Sequence, residues 1–63
     1  MFPNKIEALE YIYEMRDYVH KHFKNSEDRK KFLNSDLNVG LALDTLGEHY
    51  ASEKQRCIQE LSE

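Results

Sequence analysis

Sixty-three residues, a third of them charged, with a net charge of −3 and 40% apolar content, define one small folded domain rather than a disordered chain. The mildly acidic, mixed-sign charge argues against general nucleic-acid binding, which calls for a basic domain. One cysteine excludes an internal disulfide, and no Cys/His cluster of the structural zinc type occurs.

In chain order, Phe2-Pro3-Asn4 reads as a helix start, with Asn4 as N-cap, Glu7 three residues on as in a capping box, and Phe2 placed to staple the first turn. From Lys5 a helix runs to about Phe23 or Lys24, with His20, Lys21, His22 and Lys24 complementing its dipole at the C-terminal end. Its apolar residues form two stripes. Ile6, Leu9, Ile12, Tyr13, Val19 and Phe23 make one, and Ala8, Tyr11, Met15 and Tyr18 the other. Together they cover about two-thirds of the helix circumference. Glu7, Glu10, Glu14, Asp17 and Lys21 fill the wedge that remains. A helix apolar on two sides needs more than one neighbour.

Asn25-Ser26 caps a short helix over Glu27–Leu33, in which only Phe32 and Leu33 are apolar, so a connector is expected rather than a core element. Asn34-Ser35-Asp36 is a third cap. Beyond it one long helix is expected to about Leu61, with Val39, Leu43, Leu46, Tyr50 and Cys57 as a heptad-like seam that Glu53 interrupts. Gly40 and Gly47, continued by Ala51, offer a flat lane for a close neighbour, or else a kink near Gly40. Residues 52–63 are polar enough to be a solvated extension, or a segment ordered against a partner. The fold class expected is all-α: a hairpin of long helix, short connecting helix and long helix, two of which would pair as a dimeric four-helix bundle.

Dimerisation follows from size. A chain of about 60 residues buries only about 60% of its unfolded surface, and small domains without disulfide or metal lean on a partner chain. Tyrosine and methionine favour interfaces, so the expected contact surface is Tyr11, Met15, Tyr18 and His22 on the first helix, with Leu43, Gly47 and Tyr50 on the last. The wedge of Glu7, Glu10, Glu14 and Asp17 is a solvated face, a docking face for a basic partner, or a mimic of nucleic-acid phosphates.

Catalytic constellations are weak. Asp17 and His20 stand at i, i+3 as in carboxylate-bridged metal bundles, but lack a matching carboxylate set, so no metal or cofactor is expected. Cys57 lies on the apolar seam, where a buried thiol is the ordinary reading. Lys24, Arg29, Lys30 and Lys31 with the nearby histidines make a modest basic tip, which Glu27 and Asp28 dilute.

Two short stretches resemble known families. Arg16, Asp17 and His22 in RDYVHKH resemble the motif of HEPN-type ribonucleases, an arginine and a polar residue followed by a histidine. That resemblance implies a helical dimer cleaving RNA with Arg16 and His22 at the interface. LALDTLGEHY, residues 41–50, resembles part of the sporulation aspartyl-phosphate phosphatases, with Gly40 standing where that family has serine. The resemblance implies a helical hairpin acting on a response regulator through Asp44.

The function expected from the sequence is a non-enzymatic helical protein that homodimerises and binds an unidentified host or regulatory protein, as regulator or inhibitor, of the kind phages encode against host systems. The single thiol, the start without a signal-type apolar run and the lack of a membrane-length apolar stretch point to the cytoplasm.

Overall fold

A computed structural model describes residues 2–63. Five helices occupy 84% of them, with no strand among the described residues: α1 (Lys5–His22), α2 (Ser26–Ser35), α3 (Leu37–Leu46), α4 (Glu48–Ser52) and α5 (Lys54–Ser62).

The three expected caps are all made. Asn4 Oδ1 accepts from the Glu7 amide at 2.9 Å, and Asn25 Oδ1 accepts from the Asp28 amide at 2.8 Å. Asp36 serves two helices in a one-residue turn. Its amide donates to the Phe32 carbonyl and closes α2, while its Oδ1 accepts from the Asn38 amide at 2.8 Å and opens α3. Such side-chain oxygens satisfy amides that the first helical turn leaves without partners.

The expected long third helix is replaced by three helices. Gly47 ends α3 with φ +136°, a backbone geometry that side chains beyond glycine rarely adopt. The chain bends again at Glu53, between α4 and α5. The break falls at Gly47 and not at Gly40, which stays helical beneath the Lys54 side chain. A straight helix over residues 37–61 would be about 37 Å long, whereas the whole molecule measures 31 Å on its longest axis. Bending instead folds α5 back onto the body.

Two further expectations change with that path. α2 is a core element, because Leu33 is completely buried. The polar C-terminal segment is not a solvated extension: α5 packs chiefly against α2, burying Cys57, Ile58 and Ser62. α1 packs chiefly against α3. The core joins Ala8, Ile12 and Val19 of α1 to Leu33, to Val39, Ala42 and Leu43 of α3, and to Cys57 and Ile58. Each large aliphatic side chain so buried contributes about 1.5–3 kcal/mol.

A polar tether holds the last turn. Arg29 donates from Nε to the Phe23 carbonyl at 2.9 Å, from Nη2 to Lys24 at 3.2 Å and from Nη1 to Ser62 at 3.1 Å. His20 Nε2 meets the Leu61 carbonyl at 2.9 Å. Carbonyls at the C-terminal ends of α1 and α5 thus gain the partners that a helix end lacks.

Candidate interaction surface

α1 carries the site because its two apolar flanks fare differently. On the first, Tyr11 and Met15 are half-buried against the core. Phe2 packs on the Tyr11 ring with centroids 5.1 Å apart, and the Tyr11 hydroxyl donates to Asp36 Oδ2 at 3.0 Å. Burial raises the Tyr11 phenol above its ordinary pKa, and the bond to Asp36 and its charge push the same way. Further along, Tyr18 stacks on His22 at 4.4 Å and meets Phe32 at 5.3 Å. Of the expected interface residues Tyr11, Met15, Tyr18 and His22, the first two are therefore taken up by contacts within this chain. Only Tyr18 and His22 still face outward.

The other flank is open. Ile6 is 70% exposed, Leu9 38% and Tyr13 53%. Spaced by three and four residues, they share an arc of about 60° on the helix, a ridge without cover from α2 or α3. Beside it runs an open cleft of about 210 Å³ whose walls include Ile12, Leu46, Tyr50 and Leu61, with Cys57 and Leu43 at its base. Tyr50, 44% exposed, rises on the far side. The sequence places Ile6, Leu9 and Tyr13 in one stripe with Ile12, Val19 and Phe23, and the fold divides that stripe: Ile12 and Val19 enter the core, while Ile6, Leu9 and Tyr13 stay at its edge.

Of the expected contact residues on the last helix, Tyr50 is on this surface, and Leu43 is not available to a partner because it is buried in the core. Gly47 is the hinge that lets α4 turn along the cleft. Glu7, Glu10, Glu14 and Asp17 are all exposed. None of them enters an ion pair among the described residues, where the pairs are Arg56 with Glu53 and Glu60, and His49 with Glu53.

The arrangement offers little for catalysis. Arg16 and His22 are both exposed on one continuous helix and point about 120° apart, so one chain does not gather them. The stretch 41–50 is divided by Gly47, which separates Asp44 from Tyr50 by the bend. Asp44 instead lines a shallow recess with Phe2, Leu41 and Thr45. Burial, with the Glu60 and Glu53 carboxylates, pushes the Cys57 thiol above its ordinary pKa, and a thiol so held is a poor nucleophile. Among the described residues no three His, Cys, Asp or Glu side chains converge as metal ligands, and no helix is long and apolar enough to cross a membrane. Comparison with known proteins gives no match to a family model, a curated protein or a solved structure.

Proposed function

We propose that this chain is a non-enzymatic helical protein that acts by protein–protein binding, as a regulator or inhibitor of another protein, and that it homodimerises through the open flank of α1. The observation that carries the reading is the ridge of Ile6, Leu9 and Tyr13, left uncovered on the longest helix beside an apolar-walled cleft. Monomeric proteins rarely expose a contiguous apolar patch beyond a few hundred Å² unless it has a partner. Tyrosines at the edge of such a patch suit an interface, since the ring takes contact area while the hydroxyl stays wet. Pairing α1 against α1 would cover this ridge on both chains.

The dimer is a weak one. A standard interface takes about 800 Å² from each partner, roughly a fifth of this chain's 4473 Å², and four partly exposed side chains supply less. Light scattering over a dilution series tests the reading. The wild-type mass should rise toward two chains as concentration increases. Leu9→Ser with Tyr13→Ser should hold the mass at one chain and leave melting little changed. A wild type that stays at one chain throughout, or a double variant that associates like wild type, would remove the ridge as an interface.

A further inference from the structure

We infer that the preferred occupant of the ridge and cleft is a short amphipathic helix of another protein carrying lysine or arginine along one edge. This rests on the ridge being a binding surface and adds the chemistry of what binds it.

Charge decides the occupant. On α1, Asp17 and Glu10 follow Ile6 within about 40° around the helix, with Glu14 and Glu7 beyond. All four carboxylates are exposed and unpaired among the described residues. The opposite wall of the cleft is mostly apolar and carries one carboxylate, Glu60, which Arg56 Nε meets at 3.3 Å. A ligand helix lying on Ile6, Leu9 and Tyr13 therefore meets apolar walls on one side and a line of free carboxylates on the other.

A second copy answers this pattern poorly. An antiparallel two-fold crossing of α1 on α1 is isologous, so it sets Glu10 beside the Glu10 of the other copy, and like charges in such juxtaposition oppose binding. A parallel crossing meets a different obstacle. The ridge line continues to His20, and there the end of α5 lies over it, fixed by the bond to the Leu61 carbonyl. Only the N-terminal half of the flank is open, which suits a short helix. Self-association is the weak state, and a basic-edged helix displaces it.

The test uses the full chain, diluted until its mass is that of one chain, and three labelled synthetic peptides followed by fluorescence anisotropy. Two share one apolar stripe at i, i+3, i+4 spacing and carry either lysine or glutamate along one edge. The third keeps the lysines but scrambles the stripe. The lysine-edged peptide should bind at least about ten-fold tighter than the glutamate-edged one at low salt, with the gap narrowing as salt screens it. The scrambled peptide should not bind, and Glu10→Lys with Asp17→Lys should reverse the preference in a protein whose helicity is unchanged. Equal affinity for the two stripe peptides, or scrambled-peptide binding as tight as the lysine-edged one, overturns the inference. If no peptide binds while the wild type still pairs through the ridge, the second copy is the occupant. The inference then falls and the reading beneath it stands.

Discussion

The two flanks of α1 are alike in composition and opposite in fate. Each presents tyrosine with aliphatic or thioether neighbours. Tyr11 and Met15 are covered by the chain's own core and Phe2, whereas Ile6 and Tyr13 are more than half exposed and Leu9 sits at the edge of the cleft, 38% exposed. The difference lies in polar anchoring beyond the helix. The Tyr11 hydroxyl finds Asp36, and Arg29 ties α2 to both the α1–α2 turn and the C-terminal turn. The open flank has only the end of α5 at His20 to cover it. A small chain has enough helix to shelter one flank, and its polar contacts choose which.

The sharpest way to break the comparison is to loosen α2, the cover. Leu33 is completely buried, and Leu33→Ala should cost about 2–5 kcal/mol. The total stability expected at this chain length is about 3–9 kcal/mol, so the variant should lose a large share of it and melt at least about 10 °C lower by circular dichroism. The same truncation at Leu9, which is 38% exposed, should lower the thermal midpoint clearly less. Comparable losses at the two positions would mean that Leu9 is buried in solution and the flanks are not different.

Arg29 tests the tether. Arg29→Met keeps the length of the apolar stem while removing every donor to the Phe23, Lys24 and Ser62 carbonyls. Losing charge-assisted bonds of this kind costs about 2 kcal/mol, or about 10 °C in melting temperature for so small a domain. Hydrogen exchange should quicken first in α5. Uniform quickening across all helices would show that Arg29 supports the whole fold and not the cover alone.

How much of this the sequence carried depends on the range of the interaction. Asn4, Asn25 and Asp36 are caps whose partners lie two or three residues away, and all are legible as such. Both apolar stripes of α1 are legible too, since periodicity alone defines them. What periodicity cannot rank is which residues of each stripe the chain covers, because the Tyr11–Asp36 bond spans 25 residues and the Arg29–Ser62 bond 33. Gly47 was visible, but its cost in a helix interior is about 1 kcal/mol, too little to decide between a close-packed lane and a break. The burial of Ile58 in a polar segment decides it. Leu33 is hidden for the same reason: two apolar residues in a short helix look peripheral until α5 returns to bury one of them.

The finest distinction between the flanks is the pH dependence of Tyr11. Its phenol is raised above the ordinary value, first by burial and then by the hydrogen bond and charge of Asp36, so the fold favours the protonated form. The stabilisation is fully present below the unfolded value of about 10 and is lost as pH rises through the higher folded value. Tyr11→Phe removes one hydrogen bond and strands no carboxylate, since Asp36 keeps the Asn38 amide through its other oxygen. The expected loss is about 1 kcal/mol at neutral pH. Urea unfolding of wild type and variant at successive pH values should show that difference constant through neutrality and closing above about pH 10. Other tyrosines ionise in the same range, but they do so in both proteins and cancel in the difference. A gap that stays constant into alkali would mean the Tyr11 hydroxyl does not hold Asp36 in solution, and the covered flank would then rest on packing alone.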